Sequence, residues 1–576
     1  MTRLNSFLLR LLTGLMLVIF SMTADAEPQL TLNEMPDVLQ ENIRNTLNVA
    51  SLDCNLKGWQ LKSRARDFRE QAQQAAKAVG YYQTEIKASV KPVDDCWQLD
   101  LNVIANPPVR YSRIDINIDN ISQYPGLQPL LKQQPFKTGD RLDHGEYDAY
   151  KQELEQTAQS LGFFDARLTR HELVVDLAEY TGRIHLNLIP GTRYQIGQID
   201  IQHEILSDSF LQRFITLREG DPYSAESIAL LQRRLTNSGY FSEVVVDPSV
   251  TPNDAKVVDL TIKLLKSRRH QYSIGVGVST DTGPRIKLSY GNRYVNKRGH
   301  QFDADTIFSA VQTGINTVYT IPLRQDRQEN LKIISGYLDE DTDTSETRSY
   351  DIGASYNRLL DSGWLSSTSL TYIVDDFEVS NQTGQTTLLV PKLTLSKSVA
   401  AEIRYPLSGW RIDTELDGAH RSVISDVSFA QISGRAKLIH PLLNGRMLYR
   451  VEAGYTETNA FDELPPRQRF FAGGDQSVRG YDFEELGPRN NLEEVIGGRK
   501  LLVGSVEYDH RITDSIALAA FFDAGNAFNG TDIDPQRGTG VGVRYLSPIG
   551  PIRLDVATAL DDDNSIRFHI SMGPDL

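Results

Sequence analysis

The sequence predicts two kinds of fold in series: three small α+β domains, then an all-β transmembrane barrel of sixteen antiparallel strands. Three observations carry that expectation. A glycine followed by two aromatics recurs three times, about eighty residues apart, in the first part of the chain. From about Arg268 onward, helical periodicity gives way to alternation with period two. After the N-terminal segment, no apolar run approaches the roughly eighteen residues a membrane helix needs.

The N-terminus reads as an address rather than as structure. Arg3 and Arg10 precede the apolar run Leu11 to Phe20, and Ala24-Asp25-Ala26 offers a small-x-small cleavage site. Residues 1–26 are therefore expected to be a signal peptide, with Glu27 the first mature residue. The run is about half the length a retained helical anchor would need.

In an exported chain, the only two cysteines, Cys54 and Cys96, favour one disulfide over two free thiols or a metal site. Closing that loop stabilises a small domain by roughly 4 kcal/mol on the chain-entropy model. The formal net charge of −15 argues against nucleic acid, whose phosphates it would repel. The acidic run Asp339 to Glu346 reads as a solvated loop.

The repeated motif is Gly80-Tyr81-Tyr82, Gly162-Phe163-Phe164 and Gly239-Tyr240-Phe241. Four and eight residues before each glycine stand Ala76 and Ala72, Ala158 and Leu154, and Leu235 and Leu231, the spacing of one buried helical stripe. Glycine just past a helix end takes the left-handed conformation without penalty, so the chain can turn into a strand. Each unit closes on alternating apolar residues: Trp97 to Val103, Ile184 to Leu188, and Val258 to Leu264. Arg110-Tyr111 and Arg193-Tyr194 open the next units in parallel fashion. The expected boundaries are 27–106, 107–190 and 191–266, each unit running strand, helices, strand, strand.

Residues 267–576 are expected to form the barrel. Tyr272, Ile274, Val276 and Val278 alternate with small and polar residues, as do Ile552, Leu554 and Val556 with Arg553 and Asp555. Ile566, Phe568, Ile570 and Met572 alternate with Arg567, His569 and Ser571. A second face so rich in Arg, Glu, Asp and His suits a wet lumen, with the apolar face toward lipid. Backbone groups in hydrocarbon find no water, so the sheet must close, and about 310 residues at roughly 20 per strand and connection give sixteen strands.

The sharpest local signal is Gly473-Gly474-Asp475-Gln476-Ser477-Val478-Arg479-Gly480-Tyr481, in a stretch too long for a hairpin turn. Alternation places Ser505, Glu507 and Asp509 in the lumen, and Phe522 outward turns Asp523 inward. Arg479 could fork onto those carboxylates. Gly275 and Gly277 weaken the packing of the first strand, and Gly573-Pro574 shortens or bends the last. The seam between them, near Gly275, Gly277, Ile570 and Gly573, is expected to be the softest joint. No hydrolase, zinc-protease or Walker motif is present, and Gly538-x-Gly540-x-Gly542 falls in a strand pattern, so no catalytic, cofactor-binding or metal residues are expected.

The repeated unit resembles the polypeptide-transport-associated (POTRA) domain. The loop, with Val478, Arg479, Gly480 and Tyr481, resembles the VRG[FY] motif of the Omp85 superfamily, and the likeness extends to Glu507 and to Phe521-Phe522-Asp523-Ala524-Gly525. The resemblance implies an outer-membrane barrel with periplasmic POTRA domains, in which Arg479 in the lumen is held by Glu507 and Asp523, with Gly525 beside them. Three POTRA domains and a barrel of this size are similar to the TamA family, the outer-membrane subunit of the translocation and assembly module. That likeness implies insertion or secretion of outer-membrane proteins such as autotransporters, with unfolded substrate chains, outer-membrane lipids and the inner-membrane-anchored TamB as partners. A two-partner-secretion-like transporter or a passive solute channel is the alternative.

Overall fold

The computed structural model describes residues 27–576, less the short segments 55–57, 94–95, 251–255, 325–327, 401, 403–404, 548–549, 563–565 and 574–576. The expected signal peptide and Pro574 lie outside the described residues.

Each small domain is a three-stranded sheet with helices. In the first, β1 (Gln29–Leu32) runs parallel and β2 (Glu85–Val93) antiparallel to a central β3 (Cys96–Ile104). The second repeats this with β4 (Arg110–Ile118), β5 (Arg167–Asp176) and central β6 (Thr181–Ile189). The third orders β7 (Gln195–Gln202), β8 (Phe241–Val250) and β9 (Val257–Lys266) with β9 in the middle.

The central strand is in each case the one whose sequence alternates most cleanly, because a strand flanked on both sides must bury one full face. Trp97, Leu99, Leu101 and Val103 are all buried, as are Ile184, Leu186 and Leu188. In the first domain, Leu39, Ile43 and Leu47 from the helix Asp37–Leu47 share their core with Phe68, Ala72 and Ala76 from the helix Gly58–Ala78. The disulfide Cys54–Cys96 ties the connection between these helices to the first residue of β3.

The glycine of the repeated motif does two jobs. Gly80, Gly162 and Gly239 have φ of +87°, +91° and +77°, a region costly for residues bearing a Cβ. The amide after the glycine then reaches back, Tyr81 N–H to the Ala76 carbonyl and Phe163 N–H to the Ala158 carbonyl, both at 2.9 Å, which closes the helix end. The glycine carbonyl is also the docking point for the next unit: it accepts from Val109 at Gly80 (2.9 Å) and from Tyr194 at Gly162 (2.8 Å).

An arginine completes each joint by donating to a helix-end carbonyl. Arg141 donates to Val79 (2.6 Å), Arg193 to Leu161 (2.8 Å), and Arg293, just past a barrel strand, to Gly239 (2.9 Å). A cation at a helix C-terminus is favoured by the orphan carbonyls and the helix dipole.

The sixteen-stranded sheet begins with β10 (His270–Ser279), β11 (Gly283–Asn292), β12 (Gln301–Ser309), β13 (Gln312–Arg324), β14 (Glu329–Asp341) and β15 (Ser345–Leu359). It continues through β16 (Leu365–Val379), β17 (Gln382–Ala400), β18 (Gly409–Ala419), β19 (Phe429–Leu442) and β20 (Gly445–Thr458). It ends with β21 (Lys500–Arg511), β22 (Ile516–Phe528), β23 (Gln536–Ser547), β24 (Gly550–Ala559) and β25 (Ile566–Met572). Every strand pairs antiparallel with its sequence neighbour.

Its surface is the inverse of a soluble protein's. Ile274, Ile352, Leu416, Ile432, Val451, Val541 and Phe568 face outward and exposed, whereas Arg446, Asp509, Asp523 and Arg544 are wholly buried inside. An apolar belt of that extent belongs against hydrocarbon. The acidic run read as a loop is the tip of a hairpin: Asp339, Glu340 and Asp341 end β14, and Ser345 and Glu346 begin β15. Alternation there is masked by acids that a strand can carry on its exposed end.

Residues 207–214 also hold the start of the barrel. Phe210, Phe214 and Tyr240 form an edge-to-face cluster, and Tyr240 Oη donates to the Gly299 carbonyl at 2.5 Å. A Cβ on Gly299 would lie 2.3 Å from the Phe210 ring.

Two outcomes test these elements. Gly162→Ala should destabilise more than Gly139→Ala: both glycines have positive φ, but only a Cβ at Gly162 meets Tyr223, at 3.0 Å, while Gly139 has open space. We expect about 1 kcal/mol or more for Gly162→Ala from the backbone alone, read as faster hydrogen exchange in the helix His144–Ser160. Replacing Cys54 and Cys96 by serine should cost the first domain up to roughly 4 kcal/mol, read as lost protection confined to residues 30–104.

Candidate functional site: the lumen loop and the seam

Between β20 and β21 the chain folds into the barrel and sets Arg479 against the inner faces of four consecutive strands. The alternation that turns Leu502, Val506 and Phe522 outward turns Ser505, Glu507 and Asp523 inward. Arg479 meets Asp523 with both edges of its fork: Nε to Oδ2 at 2.7 Å and Nη2 to Oδ1 at 3.0 Å. Its Nη1 donates to Glu507 Oε2 at 2.6 Å and to Asp555 Oδ2 at 3.2 Å, while its backbone N–H reaches Asp523 at 3.1 Å. The guanidinium carbon sits over the Phe521 ring, 3.4 Å from the centroid, and lysine could not combine that contact with the forked bonds to Asp523.

A second arginine shares two of these carboxylates. Arg544 on β23 donates to Glu507 Oε1 from Nε (3.0 Å) and Nη2 (2.8 Å), and also binds Asp555. Arg446 on β20 donates to Asp509 from Nε (3.0 Å) and Nη2 (2.9 Å) and stacks on Tyr405. Arg450 donates to the Ser477 carbonyl of the loop. Four arginines thus face four carboxylates, Glu507, Asp509, Asp523 and Asp555, which is what lets so many charges sit away from bulk water.

The backbone of the loop lies on the wall at points where no side chain intervenes. Gly480 has φ of +100°, and a Cβ there would fall 2.8 Å from the backbone between Thr558 and Ala559. On the wall, a Cβ on Gly538 would fall 1.8 Å from the Arg479 carbonyl. Val478 and Tyr481, flanking the arginine and glycine, are buried with Ala472, Leu486, Leu501, Val503, Ala527 and Ala559. Tyr481 also donates to Gln536 at 3.4 Å. Gly525 faces inward opposite Val503, and its Cβ would meet the Leu502 carbonyl at 2.4 Å.

Sequence reasoning did not single out Arg544, Asp555, Gly538 or Arg446 as partners of the loop. The signal was present at two of them: Arg544 and Asp555 interrupt apolar strands at inward positions of alternation. Which inward charges converge depends on register, and Gly542 pairs with Asp555 while Ser505 pairs with Asp523 only in the folded sheet.

At the seam, the structure places β10 and β25 at the two ends of the sheet order. Thr280, the residue after β10, is bonded to Ile570 of β25: Thr280 N–H to the Ile570 carbonyl (3.3 Å) and Ile570 N–H to Thr280 Oγ1 (3.2 Å). Gly275 and Gly277 lie on β10 itself, one of the two seam strands, and pair on its other side with Lys287 and Arg285 of β11. Gly573 follows β25 with φ of +147° and nothing within 4 Å of a would-be Cβ.

Comparison with known proteins matches this geometry. Residues 260–575 match the model of the Omp85 superfamily domain, residues 30–105 that of POTRA domain TamA domain 1, and residues 194–266 that of a POTRA family described as surface antigen variable number repeat. The outer membrane protein assembly factor BamA of Nitratidesulfovibrio vulgaris is 23% identical over 399 residues, covering 64% of this chain and 49% of that protein. The chain thus spans about half the length of that relative. BamA of Neisseria meningitidis serogroup B is 20% identical over 615 residues, covering 89% of this chain and 74% of that protein. The crystal structure of Haemophilus ducreyi BamA lacking POTRA domains 1–3 superposes with a TM-score of 0.68 at 18% identity, covering 81% of this chain and 99% of that one.

Replacing Arg479 with alanine strands Asp523 in the lumen and leaves Glu507 to Arg544 alone, and breaking a buried pair of this kind costs about 3–5 kcal/mol. We expect Arg479→Ala to expose the loop to protease and to lower the temperature at which the barrel unfolds in detergent. Arg479→Lys should recover little of this. Combining Arg479→Ala with Asp523→Asn should recover part of it, by removing the uncompensated charge.

Proposed function

We propose that this chain, which belongs to the Omp85 superfamily, is an outer-membrane assembly and secretion barrel with periplasmic POTRA domains, and that it is the outer-membrane subunit of a translocation and assembly module of the TamA kind. In that role it inserts or secretes outer-membrane proteins such as autotransporters, with an inner-membrane-anchored partner like TamB bound by the POTRA domains. The match of the first domain to a TamA-type POTRA model, together with three small domains of the same three-stranded sheet order before the barrel in sequence, supports this narrower reading.

The observation that carries the mechanism is the incomplete closure of the sheet. Elsewhere around the barrel, neighbouring strands share ladders of seven or more residue pairs, the shortest being β24 with β25. Between β10 and β25, among the described residues, no such ladder runs, and Thr280, just past β10, bonds to Ile570. The outward face of β10, with Tyr272, Ile274 and Val276, is among the most exposed in the molecule. An edge with unpaired N–H and C=O groups inside a bilayer is costly, so an incoming strand that pairs with it lowers the free energy whatever its side chains are. This suits a machine whose clients share strand structure but little sequence. Lipid ordering should also be weakest beside so short a strand as β25. Arg479 and its cage hold the loop in the lumen, where it obstructs free diffusion, so the geometry favours assembly over a passive solute channel.

Cysteines replacing Thr280 and Ile570 test the reading, because these residues already touch across the seam. Oxidised Thr280→Cys/Ile570→Cys protein should fail to assemble a substrate autotransporter in proteoliposomes, and reductant should restore it. The unsubstituted protein under the same reductant controls for loss of Cys54–Cys96. Full assembly by the oxidised form, or a large steady conductance from the native barrel, would reject lateral opening.

A further inference from the structure

The lumen wall explains Val478 to Tyr481 but leaves the first half of the loop motif, Gly473-Gly474-Asp475, without a role. That half sits at the seam. Asp475 accepts hydrogen bonds from Ser279 Oγ (2.8 Å) and Thr280 Oγ1 (2.6 Å), at the end of the first strand, and from His569 Nδ1 (2.7 Å), on the last. One carboxylate therefore binds both ends of a sheet between which, among the described residues, no ladder runs.

The surrounding geometry is built for this contact. The Asp475 backbone N–H donates to the Asp281 carboxylate (3.0 and 3.1 Å), in the turn between β10 and β11. Gly474, at φ of +98°, lets the backbone come so close, since a Cβ there would meet the Asp281 carboxylate at 2.8 Å. His569 is fixed from its other side: Gly480 N–H donates to Nε2 at 3.0 Å, so the ring proton is on Nδ1 and points at Asp475. With both ring nitrogens engaged, the trio Asp281, Asp475 and His569 offers no free imidazole lone pair to a metal ion. Arg567 on β25 adds ion pairs to Asp482 and Glu485 of the same loop.

We propose that Asp475 is a positioning residue that staples the seam, its carboxylate holding the first-strand hydroxyls of Ser279 and Thr280 to His569 of the last strand, so that the lumen loop keeps the barrel shut until the staple is released. This rests on the seam being the working edge. Arg479 and Asp475 then have separate tasks on one loop: the arginine anchors it to β21–β24, and the aspartate uses that anchorage to hold β10 against β25.

Spin labels one strand back from the seam on either side test the staple in the full mature chain in nanodiscs, with Cys54–Cys96 left oxidised. Leu288→Cys on β11 and Leu554→Cys on β24 report the seam, and Tyr449→Cys on β20 with Val541→Cys on β23 reports an equal number of strands in the continuous wall. Asp475→Ala should lengthen and broaden the seam distance by about 5 Å or more, one interstrand spacing, and leave the control distance unchanged. His569→Leu should do the same, and His569→Gln, which keeps a donor and an acceptor at the side-chain end, should restore most of the native distance.

If Asp475→Ala fails to fold, Ser279→Ala removes one of the three donors to Asp475 while leaving the loop and the direct Thr280–Ile570 bonds intact, and should widen the seam partway. An unchanged seam distance in every variant that folds overturns the proposal, whatever happens to assembly. A widened seam with unaltered substrate assembly leaves the staple standing and rejects instead the reading of the seam as the working edge.

Discussion

The whole arrangement depends on one buried guanidinium. Arg479 is carried into the lumen by backbone rather than by a strand, and there it satisfies carboxylates on β21, β22 and β24 at once. Glu507, Asp523 and Asp555 converge on a point that the planar, multidentate guanidinium serves. The dependence runs the other way as well. An arginine on a free loop would keep its hydration, so the cage must return several charge-assisted bonds to offset desolvation and the ordering of some forty residues of loop. It returns five to side chains and one from the backbone amide. Loop and wall are therefore stable together or not at all.

That rigid wall creates an asymmetry around the barrel. Four strands are cross-linked through the loop, and the last of them, β24, is the ladder partner of β25. The short β25 thus has a full ladder on one side and, among the described residues, a sparser contact with β10 on the other. In water such an edge would be solvated, but within hydrocarbon its backbone groups have no other partner. The cost of leaving them open is lowered by keeping the strand to seven residues and by meeting its inward side chains, Arg567 and His569, with loop groups.

Much of this was legible in the sequence, for a physical reason in each case. Two-residue alternation exposed the barrel because one face meets lipid and the other water, the strongest contrast a strand can record. The helix-end glycines were legible because a positive φ and a close contact act on the same residue. Glu507 and Asp523 could be assigned to the lumen because Val506 and Phe522 beside them had to face outward. What was not legible depended on distance along the chain. Arg141, Arg193 and Arg293 make the same bond to a helix end, yet they stand 62, 32 and 54 residues from the carbonyls they bind. No sequence period could reveal them. Asp475 and His569 are 94 residues apart and meet only because the sheet returns on itself.

The recurring joint also explains how small domains and a barrel can follow one another without a linker. Each helix end presents orphan carbonyls, and each glycine strips away the side chain that would have covered them. The next unit supplies one amide and one arginine, whichever fold that unit has. After the third motif the arginine comes from the end of β11, and Ser267 N–H gives the Tyr240 carbonyl its hydrogen bond at 2.9 Å. The start of the barrel is therefore gripped by the same chemistry that joins the small domains. Tyr240 tightens that grip through Gly299, in the turn before β12, so the strands nearest the seam are the ones held at their base. Freedom at the seam must then come from its far end, where β10 turns into β11 and the loop carboxylate sits.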